Sequence, residues 1–341
     1  MNTELLAATT RAMVADGKGL LAMDESNGTC NQRFASVGIP QTVEARRAYR
    51  DLLLTAPDLG ECISGAILHD ETIRQSRADG TPFVQVLHDA GMLVGIKVDT
   101  GAKELALHAG EKITEGLDGL RERLAAYAAM GARFAKWRAV IGIDASRGGI
   151  EANAHALARY AALCQEAGLV PIVEPEVLME GDHSIERCSE VTEAVLRRVF
   201  EQLTRQRVLL EAVILKPNMV IAGLGCPTQP TAHEVADATL QCLLRAVPAA
   251  LPGIAFLSGG QAGESASERL NAMHLAARAA GARPPPWPLT FSFARALQHP
   301  ALERWAGEHS NRPAAQQALL QRARCNRAAV RGEYLAAMEP K

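Results

Sequence analysis

The sequence of 341 residues lacks the features that mark membrane proteins, nucleic-acid-binding proteins and metalloproteins. No stretch approaches the roughly 18 apolar residues of a membrane span. The 36 Lys and Arg residues nearly balance 38 Asp and Glu residues, so the formal charge of −2 favours neither nucleic acid nor an anionic membrane as partner. The nine histidines are scattered, without an HExxH pattern or a close His, Cys and Asp set. We therefore expect no metal site.

Disulfides and a secretion signal are also not expected. The seven cysteines are odd in number and none forms a CxxC pair, which favours reduced thiols in a cytoplasmic protein. The first residues, "MNTELLAATTRAMVADGKG", do not have the basic segment and apolar run of a secretory signal.

Eight apolar runs typical of buried strands alternate with segments of helical period. Their ranges are 19–24, 62–68, 92–98, 134–141, 169–177, 211–219, 253–260 and 289–294. The clearest helical segment is 188–203, and the proline-rich residues 283–288 predict a loop before the last strand. We predict an α/β fold, a (β/α)8 barrel, as a single domain over residues 1–341 with a short C-terminal tail after about residue 334. The competing doubly wound sheet would be expected to carry a GxGxxG turn, which the sequence lacks.

Polar residues occur late in most of these runs, including a lysine, Lys216, in the apolar segment "AVILKPNMV". A single charge at a strand end is usually a solvated edge or a structural ion pair. The ends of parallel barrel strands converge on one mouth, so charges in many strands predict an active site there. The polar residues concerned are Asp24, Lys97, Asp99, Lys136, Arg138, Glu174, Glu176, Lys216, Asn218, Ser258, Ser292 and Arg295.

This set of side chains suits chemistry on a carbonyl group. A lysine among other cations becomes a nucleophilic amine more easily and can form a Schiff base, which serves as an electron sink for carbon–carbon cleavage. A glutamate can assist loss of water and a second carboxylate can accept a hydroxyl proton. The "SGG" segment at 258–260, ahead of a helix predicted near Gly263, offers N–H groups to a phosphate that Arg295 can also bind.

Several motifs together resemble the class I fructose-1,6-bisphosphate aldolase family. They are "AMDESNG" (22–28), "GIKVDTG" (95–101), "FAKWRAVI" (134–141), "PIVEPEVL" (171–178), "LKPNMV" (215–220) and "FLSGGQ" (256–261). The resemblance covers nearly the whole chain. It implies a (β/α)8 barrel, a homotetramer, no cofactor or metal, and reversible cleavage of the sugar bisphosphate in glycolysis and gluconeogenesis.

The resemblance also implies roles for residues of this chain. Lys216 matches the Schiff-base lysine, Glu174 the acid and base that dehydrates the carbinolamine, Glu176 its supporting neighbour, and Asp24 the base on the C4 hydroxyl. Lys136 matches the lysine near Lys216. The remaining residues are expected to bind substrate: Ser258, Gly259 and Arg295 around the C1 phosphate, Ser26, Thr29 and Lys97 near the C6 phosphate, and also Gly260, Ser292, Arg33 and Arg138.

The sequence departs from the family pattern at three places, and each departure leads to an expectation. Gln32 stands where vertebrate enzymes have a lysine, which predicts one weaker phosphate contact. Ala294 replaces a common glycine and requires a negative φ. The tail ends in "GEYLAAMEPK" without the terminal tyrosine that protonates the enamine in animal relatives. We expect another group, Glu176 or a water held by Glu174, to serve that step, and removal of the residues after Tyr334 to change turnover only modestly.

The residues leave two alternatives open. The chain could cleave another phosphorylated ketose, such as fructose 1-phosphate or sedoheptulose or tagatose bisphosphate. It could also be a barrel that only binds sugar phosphates or a protein, although a binding protein does not need Glu174 and Lys216 together. The sequence indicates neither the preferred ketose nor the physiological direction.

The Schiff-base mechanism predicts that activity does not depend on a metal ion, because the iminium takes the place of a Lewis acid. Turnover of fructose 1,6-bisphosphate should be unchanged after prolonged treatment with excess chelator. A loss of turnover that zinc restores would contradict the mechanism.

Overall fold

The computed structural model describes residues 2–15, 17–279 and 284–340. Eight parallel strands close into a barrel in the order β1-β10-β9-β8-β7-β6-β3-β2. Their bounds are β1 Gly19–Ala22, β2 Ile63–Leu68, β3 Leu93–Lys97, β6 Phe134–Ile141, β7 Val170–Val177, β8 Ile214–Leu215, β9 Gly253–Phe256 and β10 Leu289–Phe293. Each strand lies within one of the eight predicted runs, so the predicted barrel is confirmed.

Helices alternate with the strands and cover the outside of the barrel. They are α1 Thr3–Met13, α2 Asn27–Ala35, α3 Val43–Leu54, α4 Asp70–Ile73, α5 Phe83–Asp89, α6 Leu120–Ala129, α7 Arg147–Glu166, α8 Ile185–Arg205, α9 Ala232–Ala246, α10 Gly263–Arg278, α11 Arg295–Trp305 and α12 Arg312–Val330. Helix α8 contains the predicted segment 188–203, and its whole apolar stripe is buried: Cys188, Val191, Val195, Val199 and Leu203. The described helices include none that is long and apolar enough to cross a membrane.

Alternate positions along the strands point into the barrel, and their chemistry changes with height. The lower interior is an apolar cluster that Leu6 and Met13 of α1 join. Gly95 of β3 leaves room for a ring in this layer, because a Cβ there would lie 2.1 Å from Phe134 Cε2. Two residues further along several strands the same face becomes charged, so these charged side chains reach the mouth. The apolar strand residues of the cluster are Leu20, Ala22, Ile67, Phe134, Val170, Ile172, Ile214 and Ala255.

Two features differ from the sequence prediction. An antiparallel hairpin, β4 Gly101–Glu104 with β5 Lys112–Glu115, follows β3 and was not predicted. Its residues are largely exposed and do not belong to the buried pattern that identified the barrel strands. Strand β8 has only two residues, since Pro217 has no N–H with which to continue the ladder. Residues 284–288 form the predicted loop, whereas Arg283 lies outside the described residues.

All seven cysteines are free thiols, as the sequence predicts. Six of them are buried, and Cys226 is partly exposed.

Candidate active site

One cavity of about 790 Å³ opens at the carboxyl ends of the barrel strands. All fifteen predicted site residues line it. They are Asp24, Ser26, Thr29, Arg33, Lys97, Lys136, Arg138, Glu174, Glu176, Lys216, Ser258, Gly259, Gly260, Ser292 and Arg295. The structure thus brings together residues that are spread over some 270 positions of the chain.

Four buried charged groups at the bottom of this cavity form a continuous chain of ion pairs. Lys216 Nζ lies 3.0 Å from Glu174 Oε1, and Lys136 Nζ lies 3.1 Å from Glu174 Oε2. Lys136 Nζ also lies 2.6 Å from Asp24 Oδ2. Glu174 therefore bridges two ammonium groups with one oxygen each, and Lys136 bridges two carboxylates.

Burial and charge act in opposite directions on these groups. Burial alone would raise the pKa of Asp24, but Lys136, Lys216 and Lys97 lower it by more, so the pKa lies below its usual value. The pKa of Glu174 is lowered in the same way, by Lys136, Lys216 and Arg138 against the effect of burial. Burial would lower the pKa of Lys136, but Asp24 and Glu174 raise it above its usual value. Lys136 therefore stays an ammonium ion.

Two further ion pairs lie beside these four groups, on or next to β3, β6 and β7. Arg138 forms an ion pair with Glu176, which raises the pKa of the guanidinium although burial opposes it. Lys97 Nζ lies 2.6 Å from Asp99 Oδ1, and Asp99 Oδ2 also accepts a hydrogen bond of 3.3 Å from the Arg138 amide. Asp99 therefore contacts both the Lys97 side chain of β3 and the Arg138 backbone of β6, and it lines the cavity as the sequence predicts.

The turn after β9 has the shape expected of a phosphate cradle. Gly259 and Gly260 adopt φ of +52° and +88°, a region that favours glycine, and a Cβ at Gly259 would lie 1.8 Å from Met179 Cε. Arg295 is exposed and forms no ion pair with the described residues. Ser292 Oγ is buried and has no hydrogen-bond partner within residues 2–15, 17–279 and 284–340. These groups are free to bind an anion.

Helix α2 follows β1, the barrel neighbour of β10, and it forms a further part of the cavity wall. Ser26 caps this helix, accepting a hydrogen bond of 3.2 Å from the Thr29 amide, and its hydroxyl lies 3.0 Å from Thr29 Oγ1. Arg33 forms an ion pair with Glu25. Ser26 and Thr29 lie at the start of α2 and Arg33 in its last turn, and all three line the cavity.

The sequence analysis did not select four charged or titratable residues of the cavity, Glu25, His69, Glu180 and His299, of which Glu25 and His69 lie next to selected positions. Glu25 is bound by Arg50 at 2.7 Å and by Gln298 Nε2 at 3.0 Å, which joins the loop of Asp24 to α3 and α11. His69 follows β2, and its pKa is lowered by burial and then by Lys97 and Arg50. Glu25 directly follows Asp24, and His69 directly follows the apolar run 62–68. This adjacency is the signal that could have identified them.

The prediction for Asn218 was wrong. It was expected to share the cavity face of Lys216, but its amide donates to Thr192 Oγ1 of α8 at 3.2 Å, and its carbonyl oxygen accepts from the Val177 amide at 3.1 Å. Strand β8 ends before Lys216, so the alternation of faces does not continue through Pro217. Ala294 has the required negative φ, −102°.

Comparisons with known proteins identify the family of this chain. A family model described as "Fructose-bisphosphate aldolase class-I" matches residues 4–341. The chain belongs to the class I fructose-bisphosphate aldolase family.

Relatives in the aldolase family match over most of their length. A protein of Xanthomonas campestris pv. campestris named "Probable fructose-bisphosphate aldolase class 1" is 56% identical over 338 residues, covering 98% of this chain and 99% of the relative. Fructose-bisphosphate aldolase B of Gallus gallus is 48% identical over 334 residues, covering 97% and 90%. The solved structure of the Plasmodium falciparum aldolase in complex with TRAP and a small-molecule inhibitor superposes with a TM-score of 0.94 at 47% identity, covering 98% of this chain and 96% of that one.

Lys136→Met should destabilise the protein by about 3–5 kcal/mol at pH 7, because it leaves two buried carboxylates with one cation. This difference in the free energy of unfolding between variant and wild type should shrink as the pH falls to about 4, because carboxyl groups that have lost the Lys136 partner become protonated. It should shrink further below that pH, where wild type loses the stabilisation of Asp24 and Glu174 as each protonates through its lowered folded-state pKa. Urea unfolding at pH 7 and pH 4 measures the first effect, and unfolding at about pH 3 measures the second.

The matched control is Lys112→Met, which breaks the exposed pair with Glu104 and should cost at most about 1 kcal/mol. A destabilisation by Lys136→Met that is the same at pH 7 and pH 4 would contradict the assignment of these charges.

Proposed function

We propose that the chain catalyses the reversible cleavage of fructose 1,6-bisphosphate to dihydroxyacetone phosphate and glyceraldehyde 3-phosphate, with Lys216 as the amine that forms the Schiff base. The observation that carries this assignment is the unequal pairing of the two buried lysines. Lys136 contacts the carboxylates of both Asp24 and Glu174, whereas Lys216 contacts Glu174 alone. Fewer carboxylates hold the proton of Lys216, so it is the lysine that can act as a nucleophile.

Glu174 moves the protons of Schiff-base formation. Its Oε1, 3.0 Å from Lys216 Nζ, accepts a proton from the ammonium, and the free amine then attacks the C2 carbonyl to form a carbinolamine. Glu174 returns the proton to the carbinolamine hydroxyl, which leaves as water and creates the iminium. Lys136 remains charged throughout and stabilises the carboxylate.

Asp24 acts in the cleavage step. It accepts the proton of the C4 hydroxyl while the C3–C4 bond breaks, and the electron pair of that bond moves to the iminium as glyceraldehyde 3-phosphate leaves. Its lowered pKa keeps Asp24 ionised and ready to accept the proton. Glu174 is a carboxylate again at this stage, so protonation of the remaining enamine is assigned to a solvent proton delivered through a water that Glu174 holds, while Asp24 releases its proton to solvent. Glu176 is already bound by Arg138.

The two phosphates bind in different parts of the cavity. Ser258, Gly259, Gly260, Ser292 and Arg295 hold the C1 phosphate, while Lys97 and the start of α2 hold the C6 phosphate. The glycine turn at 258–260 and the Arg295 guanidinium, which has no carboxylate partner among the described residues, support the first site. Helix α2 and the Lys97 ammonium support the second.

We also infer a homotetramer located in the cytoplasm, with the chain folded as a single domain. The family resemblance supports the tetramer, and the seven free thiols support a reducing compartment. Light scattering of the purified protein tests the assembly.

Trapping identifies the nucleophile directly. Dihydroxyacetone phosphate with borohydride should add one substrate-sized mass to the peptide that contains Lys216. Lys216→Ala should lose nearly all turnover and remain folded. Labelling at Lys136 or Lys97 instead would contradict the assignment.

Substitutions that remove one positive charge distinguish the two proposed phosphate sites. Arg295→Ala should weaken fructose 1-phosphate and the bisphosphate alike, whereas Lys97→Ala should affect the bisphosphate far more. Each lost charge-assisted contact is worth about 1.5–3 kcal/mol, or roughly 10- to 150-fold in the affected constant. Steady-state kinetics on both substrates measure the ratio. An equal effect of Lys97→Ala on both would show that Lys97 does not bind the C6 phosphate.

A further inference from the structure

A buried arginine of α12, Arg322, lies directly behind the proposed C1-phosphate cradle. It is 2% exposed. Its Nε donates to the carbonyl of Ala296 at 3.3 Å, and its Nη2 donates to Ser267 Oγ at 2.7 Å. Ala296 follows Arg295 in the first turn of α11, and Ser267 lies in α10, the helix that follows the Ser258–Gly260 turn. One guanidinium therefore joins the two elements that provide the cradle.

The two elements also touch each other without any side chain between them. A Cβ at Gly263, the first residue of α10, would lie 2.8 Å from Ala296 O and 2.9 Å from Arg322 Nε. On the cavity side, a Cβ at Gly260 would lie 3.3 Å from Arg295 Nη2. The distance between the turn and Arg295 thus depends on how α10, α11 and Arg322 fit together at this junction.

The C-terminal tail supplies the counter-charge of Arg322. Glu339, with its side chain 12% exposed, forms an ion pair with Arg322 Nη1. Tyr334 donates a hydrogen bond of 2.9 Å to Glu339 Oε1, and Gln321 binds the carbonyl of Met338. Burial raises the pKa of Glu339, but the hydrogen bond and the charge of Arg322, together with the hydrogen bond from Tyr334, outweigh burial and lower the pKa below its usual value, so Glu339 is ionised at neutral pH. Without Glu339, a buried cation would remain unpaired at the junction.

We propose that Arg322 and Glu339 are positioning residues that set the spacing between Arg295 and the Ser258–Gly260 turn, and hence the affinity for the C1 phosphate. This inference rests on the proposed function, which places the phosphate there. The tail of this chain acts on phosphate binding through Glu339, behind the site. It contributes no proton to the chemistry, so its effect falls on KM and leaves kcat little changed.

The experiment compares variants at the junction with a matched pair on the same helix. Arg312, at the other end of α12, pairs with Asp51 at 2.8 Å and donates to Thr55, both of which belong to or adjoin α3 and lie away from the cradle. Arg312→Met therefore controls for loss of a helix-anchoring ion pair. The test variants are Arg322→Met, Arg322→Lys, Glu339→Gln and Gly263→Ala.

Three binding constants are measured, together with kcat. They are KM for fructose 1,6-bisphosphate, the dihydroxyacetone phosphate concentration that half-saturates borohydride trapping, and the inhibition constant of inorganic phosphate. Arg322→Met should raise KM and both other constants about tenfold, since small misplacement of a binding group has effects of this order or larger. Arg322→Lys should not restore them, because an ammonium cannot reach Ala296 O, Ser267 Oγ and Glu339 in the same fork geometry. Gly263→Ala and Glu339→Gln should act in the same direction, and Arg312→Met should have no effect.

The inference is overturned if the test variants keep the wild-type constants, if Arg322→Lys restores them, or if Arg312→Met raises them equally. Should Arg322→Met fail to fold, Glu339→Gln and Gly263→Ala decide the question. Failure of the proposed function would differ from all of these, because wild type itself would then show no turnover and no label on Lys216.

Discussion

The carboxylate of Glu174, held between the ammonium groups of Lys216 and Lys136, is the interaction on which the site depends. Burying an isolated charge costs many kcal/mol, and these residues are only a few per cent exposed. Their burial is tolerated because Asp24, Lys136, Glu174 and Lys216 balance one another in charge, and each lies within 3.1 Å of its partner. The same balance makes the chemistry possible, since a proton can move from Lys216 to Glu174 without creating a net charge.

The barrel makes this arrangement possible through simple alternation. Every second residue of a strand points inward, so Phe134 and Lys136, or Ile172 and Glu174, occupy successive layers of one interior. Apolar side chains fill the lower layers and hold the strands in register. The upper layer is left to charged groups whose positions are set by the same backbone. Rigid strands therefore position most of the charged groups at the mouth of the barrel.

The barrel and the charged layer could be predicted from the sequence because both depend on local periodicity. Buried runs identify strands, and the polar residues late in most of these runs identify the mouth. What escaped prediction depends on contacts between distant segments. Glu25 matters through Arg50 and Gln298, and Arg322 through Ala296 and Glu339, and no local pattern relates these positions. Asn218 was misplaced because alternation was extended past the end of β8. The hairpin of β4 and β5 was missed because its exposed strands lack an apolar face.

The central claim is that Glu174 moves the proton that turns Lys216 into a nucleophile and then expels water. Single-turnover formation of the Schiff base in Glu174→Gln tests it most directly, because glutamine keeps the size of the side chain and one hydrogen-bond acceptor but cannot carry the proton. The variant should bind dihydroxyacetone phosphate with nearly the affinity of wild type and form the borohydride-reducible iminium about 10²- to 10⁴-fold more slowly. Iminium formation at the wild-type rate in a folded Glu174→Gln variant would contradict the account.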